Sequence, residues 1–358
     1  SAYRIFSVLN DRGLDLSFAD ILKAEIIGQI AEPEQQEYTR RWEDTEESLG
    51  RKAFEELLRH IGAIYHKNKR PGTILDDFRI SVIATLNDSR RLIDDILRPY
   101  GDAFYVISNA RYEVAEQPDA VQRINTLLRW LNRIDNIDWI PPAMVYLRRY
   151  PNAPDRLERF FISLERLAAS LAIRRQYANK RVQRYNRLLV AIERGDDLSH
   201  GASPMQLNAE EREATLGALS GDIYLMAAVP RQYALLRLDS SLAQAGSAVY
   251  PQRNLTVEHV LPRNPPPDSE WMTWFPTLED RARWVHRLGN LVLLSRTKNA
   301  QASNYDFARK KAIYFTAHNG VAAFALTTQV LQEQEWTPQV VERRQEALIN
   351  HLKQLWRL

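Results

Sequence analysis

The sequence predicts a mainly α protein: helical domains with one small strand–loop–strand–helix unit embedded toward the C-terminal end. Three observations lead there. Apolar residues recur at the helical period through most of the stretch before Tyr250. Gly, Pro and Asn/Asp clusters interrupt those patterns at intervals suited to helices. After Tyr250 the pattern changes to two short apolar runs joined by a Pro- and Trp-rich segment. Composition agrees. With 358 residues, 45% apolar, 26% charged, 13 Gly and 17 Pro, the chain is neither disordered nor collagen-like. Two domains are the natural expectation at this length. Cysteine is absent, which excludes disulfides, a thiolate nucleophile and cysteine-ligated metals.

The elements follow in order. Ser17 is placed to cap a helix with Asp20 at its N3 position, and Phe18, Ile21, Leu22, Ile26 and Ile27 give that helix an apolar face. Helical patterns continue at Glu34–Leu49, Lys52–Tyr65, Asp88–Arg98, Ala120–Asp135, Ala143–Tyr150, Asp155–Tyr177, Arg181–Glu193, Ala209–Leu219 and Arg231–Gln244. Breaks are expected at Lys69-Arg70-Pro71-Gly72, Pro141-Pro142, Pro151–Pro154 and Gly195-Asp196-Asp197. Thr256–Leu261 and Leu291–Leu294 read as strands, with a loop from Arg263 to Trp284 between them and a helix from Asp306 to Ala317 beyond. Trp271, Trp274 and Trp284 are expected to form core under that loop. The apolar stretch Gly320–Gln332 falls short of the ~20 apolar residues that cross a bilayer, so no membrane partner is expected. No signal peptide opens the chain. It begins at Ser1 in what reads as mid-domain sequence, so a cytoplasmic protein that is part of a longer one is expected.

Charge is informative through its placement. The net balance is +3, yet the stretch from Pro251 onward carries 14 Lys/Arg against 10 Asp/Glu. Arg281–Lys311 holds eight basic residues and one acid, Asp306. A second cluster, Arg174, Arg175, Lys180, Arg181, Arg184 and Arg187, contains no acid and is interleaved with Tyr177 and Tyr185. Such local fields suit a polyanion, although 39 Arg against nine Lys also reflects a compositional bias.

Four segments carry chemistry: Val257-Glu258-His259-Val260-Leu261-Pro262, Leu288-Gly289-Asn290-Leu291-Val292-Leu293-Leu294, Thr297-Lys298-Asn299 and Ser303-Asn304-Tyr305-Asp306-Phe307. His259 and Asn290 lie 31 residues apart, and Asn299 follows nine residues later. In content, order and spacing this resembles the HNH, or His-Me finger, nuclease motif. The resemblance implies that the embedded unit is a ββα-metal nuclease fold at about residues 254–317.

The chemistry of phosphodiester hydrolysis explains the residue types. A neutral His has a pKa near ~6.5 and can take a proton from water at working pH, which assigns His259 as general base. A hard cation beside the phosphate would take oxygen donors, here Glu258 with Asn299, or with its rival Asn304, and Mg²⁺ (or Mn²⁺) suits such a set. Asn304 has a second reading as a helix N-cap. Asn290, by resemblance, completes the catalytic set by tying the strands and orienting the His259 ring. His286 and His318 read as surface or loop residues. DNA phosphates are the expected contacts of Arg174, Arg175, Lys180, Arg181, Arg184, Arg187, Arg296, Lys298, Lys310 and Lys311, with a solvated helix face as the alternative for the two clusters of helical cations.

The whole ordering is similar to bacterial restriction and phage-defence proteins of the GmrSD and SspE type, which join a ParB-like nucleotide-hydrolysing domain to a C-terminal HNH-type nuclease. Phe6–Lys23 resembles the close of that N-terminal domain, and Arg174–Arg187 with Glu258–Lys311 its nuclease half. The implied layout is residues 1–30 as the tail of the ParB-like domain, 31–150 as a helical linker and 151–358 as the nuclease domain. The family's Asp-Gly-Gln-Gln-Arg segment does not occur in this sequence. Nucleotide hydrolysis is therefore expected of a separate N-terminal ParB-like part, which would be the partner within the same protein. The implied activity is metal-dependent nicking of foreign DNA, since one such site handles one strand at a time and double-strand breaks would take a homo-oligomer. The alternative is a DNA-binding regulatory or sensor module whose nuclease fold has lost activity, a reading favoured by Glu258 where many such motifs carry Asp.

Overall fold

The computed structural model describes residues 17–67, 73–243, 255–315 and 324–358. They fall into two compact units, each drawn from several stretches of chain. The first takes the described residues up to Arg129 together with Ile137–Leu164 and Tyr177–Gln206. The second takes Trp130–Asn136, Glu165–Gln176 and the described residues from Leu207 to Leu358. No helix among the described residues is long and apolar enough to cross a membrane.

The first unit is helical. Ser17 caps Phe18–Gly28 as expected, its hydroxyl accepting from the Asp20 N–H while the Asp20 carboxylate accepts from the Ser17 N–H. Gln35–Leu49, Arg51–Tyr65 and Arg98–Asn109 bury Trp42, Phe54, Leu57, Ile61 and Phe104. In Arg51–Tyr65 one polar residue joins this core. His60 is 5% exposed, its ring lies 5.4 Å from that of Phe104, and its Nε2 has no partner among the described residues. Burial pushes its pKa down to about 4.

Prolines at two places depart from the sequence expectation. The helical path expected to end at Arg98 runs on through Pro99 to Asn109, after a wider π-helical stretch at Leu92–Leu97. Pro99 has no N–H to give the carbonyl of Asp95, and Arg148 supplies that donor instead at 2.6 Å, so the helix continues. Pro141-Pro142, expected as a break, sits in the first turn of Ile140–Arg149, where a missing N–H costs nothing. Gly195, with φ 76°, does end Ala178–Arg194 as expected. The Lys69–Gly72 break and residues 6–16 of the N-terminal resemblance lie outside the described residues.

In the second unit, Ala209–Ser220, Ala228–Leu242 and the C-terminal helix Pro338–Trp356 surround a two-stranded antiparallel sheet. Strands β1 (Leu255–His259) and β2 (Leu291–Ser295) pair with Glu258 opposite Val292 and His259 opposite Leu291. The expected loop from Arg263 to Trp284 contains two short helices, Glu270–Trp274 and Leu278–Val285. Trp271 and Trp284 are buried beneath it and Trp274 packs against them, as expected. Two helices follow β2: Arg296–Ala302, which packs on both strands, and Phe307–Phe315. Elsewhere in this unit Glu165, 3% exposed, gathers donors from distant segments: Tyr233 Oη, Arg237 Nε at 3.2 Å and Trp356 Nε1 at 3.1 Å.

Candidate functional site

Asn290 is fully buried and uses all of its amide. Its Oδ1 accepts from Leu261 N (2.7 Å) and Trp336 Nε1 (3.0 Å), and its Nδ2 donates to Leu261 O and Val285 O (3.0 Å each). The amide thus locks the turn after β1 to the turn before β2. Its hold on His259 runs through backbone, where Val260 N donates to Asn290 O at 3.0 Å. The preceding Gly289 has its own reason. A Cβ there would fall on the Val341 carbonyl oxygen and within 3.0 Å of Gln345, so the C-terminal helix can approach only a glycine. Gln345 and Arg344 use that closeness, reaching Gly289 N at 2.6 Å and Gly289 O at 2.7 Å.

His259 ends β1 with its side chain 7% exposed as a residue. Its Nε2 lies 3.3 Å from His286 Nδ1, and its ring centre 4.1 Å from that of Tyr224. Burial, then His286 and the cations Arg263, Lys310 and Arg231, push its pKa down to about 3, so the imidazole is neutral near pH 7. Neither His286 nor Tyr224 was picked out from the sequence as a site residue. His286 reads there as a surface or loop residue; it lies in the turn after Leu278–Val285, is half-buried, stacks on Tyr224 at 5.4 Å with the planes 11° apart, and accepts from Tyr224 N at 3.2 Å through its carbonyl. Arg231 covers the Tyr224 ring at 4.7 Å. The only sequence signal for His286 is its place four residues before Asn290. His318 lies outside the described residues.

Glu258 points to the opposite face of the strand and is 6% exposed. Its Oε1 accepts from Lys310 Nζ at 2.6 Å and Tyr314 Oη at 3.2 Å, and Lys310 Nζ also donates to the His259 carbonyl at 2.6 Å. Burial pushes the Glu258 carboxyl up and the Lys310 ammonium down, and the contact between them opposes both shifts. Asn299, on Arg296–Ala302, donates Nδ2 to Thr256 Oγ1 (3.0 Å) and Val257 O (3.2 Å), which brings it to the same edge of β1. Asn304 is exposed in the turn before Phe307–Phe315. The oxygens of Glu258 and Asn299 have the chemistry a hard divalent ion needs. Their arrangement does not fit one, because the Lys310 ammonium already neutralises the carboxylate. Among the described residues no group of three or more His, Asp or Glu converges as a metal cage.

The expected phosphate contacts divide. Lys310 is buried in the pair just described. Lys311 Nζ donates to Glu333 O at 2.8 Å and Lys298 Nζ to Tyr314 O at 2.7 Å. Arg181 pairs with Asp138 at 2.7 Å, Arg184 donates to Pro204 O at 2.5 Å, and Arg174 reaches Ser170 Oγ at 3.1 Å. Arg175, Lys180, Arg187 and Arg296 are exposed. Arg174 and Arg175 belong to the second unit, and Lys180 to Arg187 to the first. Tyr177 is exposed, whereas Tyr185 is core.

The buried histidine at a strand end, the amide lock and the glycine-to-helix contact all fall within one segment. Residues 224–351 match the family model described as the C-terminal domain of GmrSD restriction endonucleases. That segment is therefore similar to the C-terminal domain of GmrSD restriction endonucleases, and Tyr224, Glu258, His259, His286, Asn290, Asn299 and Lys310 all lie inside it. No curated protein matches the chain significantly.

Proposed function

We propose that this domain is an HNH, or His-Me finger, DNA endonuclease unit of a bacterial restriction or anti-phage protein, with His259 as general base. The observation that carries the reading is the placement of His259, buried and held at the end of β1 beside the Asn290 lock, inside the segment that matches the restriction-endonuclease family model. His259 takes a proton from water as the water oxygen adds to phosphorus. One backbone P–O bond then breaks, and the leaving oxygen gains a proton from solvent. Of the expected phosphate contacts in the same unit as His259, Arg175 and Arg296 are exposed and can meet the phosphate backbone. One such site cuts one strand, so a nick is the expected product, and a double-strand break takes two copies of the chain. Dependence on Mg²⁺ or Mn²⁺ belongs to this proposal on condition that Lys310 releases Glu258.

Conversion of supercoiled plasmid to nicked circles, with and without a chelator, tests this. Loss of the His259 base is expected to slow nicking by about 10²–10⁴-fold in His259→Ala with the fold intact. Nicking that survives the substitution places the active site elsewhere. Nicking that survives chelation makes Lys310, rather than a divalent ion, the cation beside Glu258. A second reading is favoured by that same Glu258–Lys310 pair: a DNA-binding regulatory module with a degenerate nuclease fold. Plasmid binding with no cleavage by the unmutated chain would establish it.

A further inference from the structure

We propose that His286 is the positioning residue that fixes the tautomer of His259, leaving the lone pair on Nδ1 as the one offered to water. The inference rests on His259 being a proton acceptor and deepens that reading. Among the described residues, His259 Nε2 meets His286 Nδ1 at 3.3 Å, and His259 Nδ1 takes no hydrogen bond. A hydrogen bond between two neutral imidazoles carries a single proton, so one ring donates and the other accepts. If His259 donates from Nε2, its Nδ1 is a bare lone pair. If His286 donates instead, His259 carries its proton on Nδ1, its remaining lone pair faces His286, and neither nitrogen can take a proton from water. Only the first arrangement is a base.

The rings are held so that this choice matters. Their centres lie 5.4 Å apart with the planes at 70°, Tyr224 stacks on His286, and Tyr224 also lies against His259. Backbone adds a further tie, since Tyr224 N donates to the His286 carbonyl. With His259 as the base, His286 accepts on Nδ1 and carries its own proton on Nε2. When His259 gains the proton from water on Nδ1, its Nε2–H still points at the His286 lone pair, so the product state keeps the same bond. No rearrangement of either ring accompanies the transfer.

Long-range ¹H–¹⁵N spectra of the histidine rings, read beside plasmid nicking, test the assignment in the full chain, with His259→Ala identifying the His259 signals. His286→Asn places an amide oxygen where Nδ1 stands, and His286→Ala leaves no acceptor. In the unmutated chain His259 is expected with Nε2 protonated and Nδ1 bare. His286→Asn should keep that tautomer and nick within a few-fold of the unmutated rate. His286→Ala should mix the tautomers and lower the nicking rate on the order of 10–100-fold. A His259 protonated on Nδ1 in the unmutated chain overturns the proposal. So does an Ala variant that keeps both tautomer and rate, or equal loss in both variants with the tautomer unchanged. If no form of the chain nicks DNA the nuclease reading fails, while the spectra still decide the tautomer.

Discussion

At the residue scale, Lys310 turns a motif carboxylate into half of a buried ion pair. Its ammonium is 1% exposed and lies 2.6 Å from Glu258 and from the His259 carbonyl. Removing one charge strands the other out of water, so Lys310→Met is expected to lower stability by about 3–5 kcal/mol. Adding Glu258→Gln to that variant should recover most of the loss, because no buried charge is left. Urea midpoints check this, and a single variant as stable as the double one would show that the pair is not coupled. The sequence made Glu258, His259, Asn290 and Asn299 legible because they sit in short, ordered strings. It did not reveal His286, Tyr224 or the burial of Lys310. Those placements depend on side chains meeting across 27 to 62 residues of chain, and no local periodicity records such meetings.

At the scale of elements, the approach of Pro338–Trp356 to the Leu288–Asn290 turn depends on Gly289. A methyl group there must displace the Val341 carbonyl or the Gln345 backbone, so Gly289→Ala is expected to cost about 1–3 kcal/mol and lower the melting temperature. Thermal unfolding followed by circular dichroism measures it, and an unchanged melting temperature would mean that the helix yields without loss. Most helices were readable from their apolar period, and Ser17 and Gly195 marked ends correctly. The misses have separate physical causes. Pro99 reads as a stop because its rescue by Arg148 comes from a distant segment. Arg296–Ala302 is seven residues with Ala302 its one buried member, too short and polar for periodicity to show.

At the scale of the whole molecule, acid is expected to destabilise the chain through its buried neutral histidines. The folded-state pKa of His60 is about 4 against 6.5 for an ordinary histidine. Between those values the unfolded chain binds the proton more readily, so the contribution of the neutral ring is present above pH 6.5 and is lost as pH falls toward 4. The loss for this group is about 3 kcal/mol by pH 4. His259, pushed to about 3, works in the same direction. Urea titrations at pH 7 and pH 4 should therefore show a smaller drop for His60→Leu than for the unmutated chain, and an equal drop would assign the acid sensitivity elsewhere.

The Glu165 cluster has a consequence for heredity. A domain that occupies one uninterrupted stretch can pass between genes as a cassette, cut at its two ends and rejoined to new neighbours. This one cannot, because Tyr233, Arg237 and Trp356 all donate to a carboxylate encoded well upstream, and the unit also draws in Trp130–Asn136 and Glu165–Gln176. A gene fragment starting at Leu207 would inherit three donors without their acceptor. Recombination that preserves this unit must carry the upstream helices along with it, which ties the descent of residues 224–351 to that of the sequence before them.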